Sequence, residues 1–515
     1  MNDTPTTDGV RVSGQLNWDS IDWKKAEESV RKLQARIVKA QREGRHGKVK
    51  SLSRILTRSF AAKALAVKRV TQNKGKRTSG VDGALWRSPK QKAKAVSELN
   101  PQHYKAKPLR RVYIPKSNGK QRPLGIPTMK DRAMQALYLL ALEPIAETTA
   151  DRSSYGFRRG RSTIDAVEQC HILLSRRSRA PQWVLEGDIK GCFDNISHEW
   201  LLNHVPMEKR ILRQWLKAGY VEKTILFDTD EGTPQGGIIS PVLANMTLDG
   251  LERLINERFK VRYLLKGVVH WQSKRGDAAK VHLVRYADDF IITSASRERL
   301  ENEVKPMVRQ FLAERGLSLS EEKTAITHIE EGFDFLGFNL RKYGPKLLST
   351  PSKKGVHRLM DKIRGIIKGG RGRGGNGYML IQRLNPILRG WANYYRQAVS
   401  SRTFAKVDHV VWDCLWRWAK RSHPKKGKRW IKRRHFTRKG NRSWIFHDTC
   451  SSKEYLLFLL SDVRIKRHVK VRQDANPFDP LWQRYFEERC RKQTRRELRN
   501  AHRVIVPGVA HATPS

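Results

Sequence analysis

Two adjacent carboxylates lie between two apolar, β-prone runs past the middle of the chain. Asp288 and Asp289 follow the run His-Leu-Val-Arg-Tyr-Ala and precede Phe-Ile-Ile, a pattern typical of a β-hairpin with two acids at its tip. Adjacent acids repel each other and are costly beside a buried strand unless a cation neutralises them. An ordinary Asp-containing turn is the alternative, but it does not explain why both flanks are so apolar. We therefore interpret the pair as part of a metal site.

A third acid ends a second strand-like run, Trp-Val-Leu-Glu-Gly-Asp188-Ile, which begins at Trp183. Two strands that bring Asp188 beside Asp288 and Asp289 would form a site for two Mg²⁺ ions. Two such ions can activate a 3′-hydroxyl group and stabilise a leaving pyrophosphate. Because Mg²⁺ prefers carboxylate and phosphate oxygen, a ligand set made of aspartates suits it.

The charge of the chain indicates a polyanionic partner. The 515 residues include 103 Lys and Arg and 50 Asp and Glu, which gives a net charge of +53. Residues 341–515 hold 43 of these cations but only 11 of the acids, so the excess is concentrated there. A compact protein with this charge repels itself unless a polyanion neutralises it, and nucleic acid fits that requirement. An evenly basic, merely soluble surface is the alternative, and the uneven distribution disfavours it.

The length and the remaining composition predict several globular domains and a reducing compartment. With 38% hydrophobic residues and 515 positions, two to four domains are expected. The five cysteines are scattered and contain no Cys-x-x-Cys pair, so neither a disulfide framework nor a zinc knuckle is predicted. No leader and no run of about eighteen apolar residues is evident, and we expect a cytoplasmic, bacterial protein without a membrane span.

Local patterns predict a helical arm, a mixed α+β region and a helical region. Val30, Leu33, Ile37 and Ala40 have helical spacing, so Trp18 to about Val70 is predicted to be helical. Strand-like and helical runs then alternate from about 108 to 345. A helix over residues 298–314 should be kinked by its proline. Beyond residue 351 no strand is predicted, and three helices are expected at 353–368, 378–398 and 404–420. Trp412 and Trp416 are interpreted as a core stripe rather than a base-stacking pair.

Several boxes, in order, resemble those of group II intron-encoded reverse transcriptases with a maturase domain. They include the Tyr-Ala-Asp-Asp box at 286–289, the strand box in which Phe193-Asp194 follows Asp188, and the Gly-Thr-Pro-Gln-Gly-Gly run at 232–237. Four further matching stretches are residues 114–127, 154–158, 335–338 and 388–395. The resemblance extends from about residue 18 to about residue 490. It implies a right-hand polymerase of multidomain α+β fold, an α-helical thumb and a basic C-terminal region.

The resemblance also implies a division of the chain into domains. The predicted division is a helical, RNA-binding extension at 1–90 and fingers and palm at 91–345. A helical thumb or maturase domain follows at 346–424, and a basic DNA-binding region at 425–515. After Trp482 the chain has only Cys490, His502 and His511 as candidate zinc ligands, so no HNH-type endonuclease is expected.

Each box implies roles for its own residues. Asp188, Asp288 and Asp289 would be the catalytic, metal-binding acids. Residues expected to hold the incoming deoxynucleoside triphosphate are Lys116, Arg122, Phe193, Gln235 and Gly236. Among these, Phe193 would exclude a 2′-hydroxyl group. Residues expected to support the primer and template are Tyr286, Phe335, Leu336, Gly337 and Phe338. Lys323 is either a general acid for the departing pyrophosphate or an ordinary surface lysine. Residues expected to bind RNA or DNA are Lys425, Lys426, Lys428, Arg429, Lys432, Arg433 and Arg434.

The implied function is RNA-directed DNA synthesis coupled to an intron RNA. The protein would bind that RNA, assist its splicing, and copy it after reverse splicing into target DNA, working as a monomer or a dimer. One alternative is a splicing factor with an inert polymerase fold, which the intact acids and triphosphate-binding residues disfavour. Another is a free-standing reverse transcriptase recruited to a different role, which the long helical region disfavours.

Overall fold

The structure is a computed structural model that describes residues 16–115, 119, 121–175, 180–223, 225–233, 236–265, 268–273, 279–369 and 376–491. Its helices in the first half are α1 (Trp23–Arg42), α2 (His46–Arg58), α3 (Phe60–Gln72), α4 (Pro89–Glu98), α5 (Met129–Thr149), α6 (Thr163–Leu174), α7 (Cys192–Asn195), α8 (His198–His204), α9 (Lys209–Leu216), α10 (Ser240–Leu248) and α11 (Leu251–Phe259). Those in the second half are α12 (Arg297–Arg299), α13 (Lys305–Ala313), α14 (Lys353–Gly369), α15 (Gly377–Tyr395), α16 (Ser401–Ser422) and α17 (Lys428–His435).

The strands form a mixed α+β architecture with the helices. Strands before the acidic hairpin are β1 (Leu109–Pro115), β2 (Gln121–Ile126), β3 (Trp183–Gly187), β4 (Tyr220–Glu222), β5 (Ile225–Phe227), β6 (Lys260–Leu265) and β7 (Val268–Ser273). The remaining strands are β8 (His282–Tyr286), β9 (Asp289–Ser294), β10 (Ala325–His328), β11 (Phe333–Phe335), β12 (Phe338–Tyr343), β13 (Lys346–Pro351), β14 (Phe436–Lys439), β15 (Arg442–Cys450) and β16 (Lys453–Leu456).

The palm sheet has the order β10-β3-β9-β8 and is antiparallel throughout. Successive side chains of a strand point to opposite faces, and here both faces are buried. Leu185 and Ile292 join a core shared with the N-terminal helices, whereas Val184 and Ile291 join a second core shared with the thumb helices. This two-sided burial explains the consecutive apolar residues Leu283 and Val284 in β8 and Phe290, Ile291 and Ile292 in β9.

The predicted helical arm is confirmed as α1, α2 and α3, which pack on α5. Asp22 caps α1 by accepting a hydrogen bond from the backbone N–H of Lys25. Gln34 of α1 donates to the carbonyl oxygen of Leu140 at 2.7 Å, which anchors the arm on α5. The arm and the palm sheet therefore share one hydrophobic core rather than two separate ones.

The proline-containing helix that follows the palm hairpin departs locally from regular α-helical geometry, as predicted. A π-helical turn, Leu300–Val304, separates α12 from α13, and Pro306 lies in the first turn of α13. The helical backbone is continuous from Arg297 to Ala313, so this proline removes one N–H donor from within a helix. The wider π turn immediately before it accommodates the change in backbone hydrogen bonding.

The three predicted thumb helices are confirmed as α14, α15 and α16, but the expectation of no further strands is wrong. Strands β14, β15 and β16 form a three-stranded antiparallel sheet that packs on α15 and α17. Phe436 and Phe446 anchor this sheet in the thumb core. The dense Lys and Arg content conceals the strand pattern, because only a few positions alternate clearly between apolar and polar. Burial against the helices decides the structure.

A segment after this sheet, which we call the strap (residues 466–479), contacts α5, α6 and the N-terminal arm. The backbone N–H of Val471 donates to Asp165 at 2.8 Å, and the Asn476 side chain donates to Thr148 at 3.2 Å. Asp479 forms an ion pair with Arg42 of α1. The strap therefore connects the thumb region to α5, α6 and the N-terminal arm. Within the described part of the chain, no helix is long and apolar enough to cross a membrane.

Candidate active site

The palm sheet brings the three predicted acids to one edge. Gly187, the last residue of β3, pairs with Phe290 of β9, so Asp188 emerges next to Asp289. Tyr286 and Asp289 close the β8–β9 hairpin, whose two-residue turn consists of Ala287 and Asp288. Both strands are held by apolar residues on two faces, and that rigidity fixes the relative positions of the acids.

The acids repel one another within partly buried surroundings. Burial, followed by repulsion from Asp288 and Asp188, raises the pKa of Asp289 to about 6. Burial is also the largest cause that raises the pKa of Asp288, and repulsion from Asp188 adds to it, whereas Arg122 and Lys323 act in the opposite direction. A raised carboxyl pKa means that negative charge is incompletely compensated. The cluster therefore has the electrostatic character of a cation-binding site.

Lys323 contributes positive charge to this edge. Its Nζ donates to Oδ2 of Asp188 at 2.7 Å, and this hydrogen bond is the largest cause that raises the pKa of Lys323. Throughout the described ranges, no three His, Cys, Asp or Glu side chains are already arranged to hold a metal ion. Coordination by Asp188 through Oδ2 would require Lys323 to move. Carboxylates nevertheless match the oxygen donors that Mg²⁺ prefers.

A cavity of about 320 Å³ connects the acids to the predicted primer support. Asp188, Asp289 and Lys323 form part of its wall, and the turn at Leu336 and Gly337 forms another part. This turn joins β11 to β12, and both of its residues have positive φ, +51° and +82°. Glycine at the second position is favoured by that conformation.

Two adjacent tyrosines of α15 hold the turn in place. The hydroxyl group of Tyr394 donates to the carbonyl oxygen of Leu336 at 2.8 Å, and that of Tyr395 donates to the carbonyl oxygen of Gly337 at 2.9 Å. The Phe338 ring packs against both tyrosine rings. Helix α15 therefore fixes the turn that faces the acids, and the two tyrosines at the end of the 388–395 stretch make these contacts.

The residues expected to hold the nucleotide are only partly within the described structure. Lys116 and Gln235 lie outside the described residues. Arg122 is an exposed residue of β2, and its positive charge opposes the rise in the pKa of Asp288, so this charge acts at the acidic edge. Phe193 and Gly236 both lie near Gly125 of β2. The Phe193 ring lines an adjacent cavity of about 220 Å³, and a Cβ added to Gly236 would lie 2.9 Å from the Gly125 carbonyl oxygen.

Sequence reasoning missed four charged side chains that line the acidic cavity: Glu186, Asp334, Lys354 and Arg358. Burial raises the pKa of Glu186 to about 6. Glu186 could have been found from its position two residues before Asp188, because alternate residues of a strand share a face. Lys354 and Arg358 belong to α14, which is far away in sequence. Only the tertiary structure brings them to the cavity.

Comparisons with known proteins agree with this architecture. Residues 114–340 match the model of reverse transcriptase (RNA-dependent DNA polymerase), and residues 18–99 match that of the N-terminal domain of reverse transcriptase. Residues 356–436 match the group II intron, maturase-specific domain. Protein YkfC of Escherichia coli is 34% identical over 346 residues, which cover 61% of this chain and 87% of that protein. The chain belongs to the family of group II intron-encoded reverse transcriptases.

Other similarities within and beyond the family are more partial. The group II intron-encoded protein LtrA of Lactococcus lactis is 33% identical over 332 residues, and the match covers 54% of this chain and 54% of LtrA. The chain thus spans about half the length of that relative. A solved structure of telomerase from Candida albicans in complex with an RNA fragment aligns over 64% of this chain and 65% of that chain. Its sequence identity is 12% and its TM-score is 0.36.

The predicted nucleic-acid-binding cations of this reverse transcriptase lie on and before α17. All seven side chains are exposed: Lys425, Lys426, Lys428, Arg429, Lys432, Arg433 and Arg434. Two of them have protein partners. Arg434 forms an ion pair with the buried Asp448 at 2.9 Å, and Lys432 lies 4.6 Å from the ring centre of Trp444. Trp412 and Trp416 stack on each other and pack against the thumb core, in agreement with the interpretation as a core stripe.

Proposed function

We propose that this reverse transcriptase binds its intron RNA, assists the splicing of that RNA, and copies it into DNA after reverse splicing into a DNA target. The observation that carries the polymerase part is the β3–β9 register, since it brings Asp188 beside Asp289 at one end of the palm sheet. The predicted setting is the bacterial cytoplasm, with the RNA–protein complex as the working form.

In the proposed reaction, Asp188, Asp288 and Asp289 hold two Mg²⁺ ions. When bound, such ions lower the pKa of the primer 3′-hydroxyl group and neutralise charge on the leaving pyrophosphate. Two observations support this assignment. The donor set consists of carboxylates, and burial together with repulsion from Asp288 and Asp188 raises the pKa of Asp289 to about 6, so a divalent cation would stabilise the ionised form of this acid.

The other residues around the cavity orient the substrates. We assign the primer end to the turn at Leu336 and Gly337, which lines the same cavity as Asp289. Arg122 and Lys116 would hold the triphosphate through a bidentate fork and a point charge respectively. Gln235 and Gly236 would lie against the nucleotide and the template. Phe193 would block a 2′-hydroxyl group.

Lys323 has a defined place in this scheme. Its ammonium group holds Oδ2 of Asp188, so we propose that it withdraws when Asp188 binds metal. It would then be close enough to donate a proton to the departing pyrophosphate. The basic region that includes α17 would bind the RNA, because its exposed cations can neutralise phosphates and release counterions.

The decisive experiment separates catalysis from RNA binding. Asp288→Ala with Asp289→Ala should abolish primer extension on an RNA template while leaving intron RNA affinity unchanged, since in the proposed scheme these acids bind metal ions and the cations of α17 bind RNA. Asp289→Asn should also be inactive. It should raise Tm, because it removes a carboxylate whose raised pKa shows that its ionised form is disfavoured in the folded protein.

A matched control is Asp361→Ala, which removes an exposed acid on α14. This variant should retain extension activity. Extension activity in the double variant would contradict the assignment of the acids, and a parallel loss of RNA affinity would contradict the separation of the two functions. Splicing by the double variant should persist, because splicing uses RNA binding rather than nucleotidyl transfer.

A further inference from the structure

A buried guanidinium group lies directly behind the acidic hairpin. Arg285 of β8 is 0% exposed and is among the largest fully buried side chains. Its Nη2 donates to Oδ1 of Asp249 at 2.5 Å, and its Nη1 donates to Oδ1 of Asn245 at 3.2 Å. Nη1 also donates to the carbonyl oxygen of Ala287 at 3.3 Å. One side chain thus joins α10 and the residue after it to the turn that carries Asp288.

The backbone of Arg285 is held as firmly as its side chain. Its N–H donates to the carbonyl oxygen of Ser153, and its carbonyl oxygen accepts from the N–H of Tyr155, each at 2.9 Å. The Asn245 side chain, which accepts from Arg285, donates through Nδ2 to the carbonyl oxygen of Gly156 at 2.8 Å. The hairpin is therefore supported from behind by residues 153–156 and by the end of α10.

The turn that receives this support has an unfavourable backbone conformation. Ala287 has φ of +57°, a left-handed conformation that costs an L-residue roughly 1–2 kcal/mol. Burying a charged guanidinium group also has a large desolvation cost unless its partners are complete. The hydrogen bond from Arg285 to the Ala287 carbonyl oxygen bears on both costs, because it gives the buried guanidinium group a partner and holds the left-handed turn. Buried charge networks also occur far from active sites. This one is relevant to the site because it contacts the turn that carries Asp288.

We propose that Arg285 is a positioning residue that holds the Ala287 turn in its left-handed conformation and thereby sets the direction of the Asp288 and Asp289 carboxylates. This role rests on the proposed function only in so far as those acids bind the metal ions. Asn245 and Asp249 keep the guanidinium group in place. Loss of Arg285 lets the turn relax toward an ordinary conformation, and displacement of reacting groups by about 1 Å costs on the order of 100-fold in rate.

The test combines metal binding with kinetics in the full-length protein. Mn²⁺ alone serves as the probe, followed by electron paramagnetic resonance without template or nucleotide. Arg285→Gln should weaken Mn²⁺ binding about tenfold, because it removes a group that orients the metal-binding acids. It should lower kcat for extension on the order of 100-fold, with the KM for deoxynucleotide nearly unchanged, because the loss lies in alignment rather than in nucleotide binding. Arg285→Lys, which keeps the charge but loses the fork, should recover part of both losses.

The control is Arg132→Gln. Arg132 is also buried, at 6% exposure, and donates to the carbonyl oxygens of Pro127, Gly75 and Thr78. It should lower Tm comparably while leaving Mn²⁺ affinity and kcat intact. If Arg285→Gln does not fold, Asn245→Ser is a milder substitution and should lower Mn²⁺ affinity and kcat several-fold. Normal Mn²⁺ affinity and kcat in the folded variants, or equal effects in Arg132→Gln, would overturn the proposal. A wild-type protein without Mn²⁺ binding or extension would instead refute the proposed function.

Discussion

Gly156→Ala should be a severe lesion, because Gly156 packs on the backbone of the acidic hairpin. A Cβ at this position would lie 2.3 Å from the amide nitrogen of Ala287 and 2.9 Å from the carbonyl carbon of Tyr286. Ordinary contacts begin near 3.4 Å, so one of the two segments must move by about 1 Å. Its φ does not lie in the left-handed region, and the expected effect is therefore steric. Overpacking of this kind costs roughly 1–3 kcal/mol of stability.

The catalytic cost should exceed what the stability loss predicts. Displacement of the hairpin by about 1 Å should lower kcat on the order of 100-fold, which corresponds to about 2.7 kcal/mol in the activation free energy at 1.36 kcal/mol per tenfold. The assay is single-nucleotide extension of a DNA primer on an RNA template, well below the Tm of the variant. Thermal unfolding is measured in parallel.

Gly365→Ala is the matched control. Gly365 is an exposed position of α14, and a Cβ there would meet nothing within 4 Å. Alanine should raise helix stability by roughly 1 kcal/mol, with kcat unchanged. Near-normal extension by a folded Gly156→Ala protein would refute the reasoning, since the hairpin would then tolerate displacement of its backbone support.

Two further predictions concern the basic region and the strap. Changing four exposed cations to Gln should reduce the slope of log affinity for RNA against log salt by about 3, and an unchanged slope would show that they only face solvent. The set is Lys425, Lys428, Arg429 and Arg433. For Asp165, burial acts to raise its pKa, but hydrogen bonds from His468 and Ser162 outweigh burial and hold the pKa below its ordinary value. The stabilisation that Asp165 gives to the folded protein is therefore complete above the pKa of this group in the unfolded chain. It is lost as the pH falls through the lower pKa of Asp165 in the folded protein. Protease cleavage at the strap should increase below about pH 4, and Asp165→Asn should be cleaved readily even at neutral pH; equal resistance of the two proteins at pH 7 would contradict this.

Local chemistry in the sequence was enough to predict much of the polymerase region. Apolar runs on both sides of Asp288 and Asp289 predicted the hairpin, and the structure has β8 and β9 there. Helical spacing predicted the arm and the thumb helices, because amphipathic periodicity is a local signal. The boxes predicted the family, and family matches at 114–340 and 356–436 confirm it. The predicted domain boundaries and residue roles stay predictions.

What the sequence could not determine depends on contacts between distant segments. The sheet β14-β15-β16 gains its stability by burying Phe436 and Phe446 against helices, which no local pattern reports. Lys354 reaches the acidic cavity through the packing of α14, and Arg285 is paired with Asp249 across 36 positions of chain. Asp288 and Asp289 could be read directly from the sequence because both strands of the hairpin are adjacent in the chain. Their orientation could not, because it depends on how α10 and residues 153–156 pack behind them, and desolvation makes such buried polar contacts decisive.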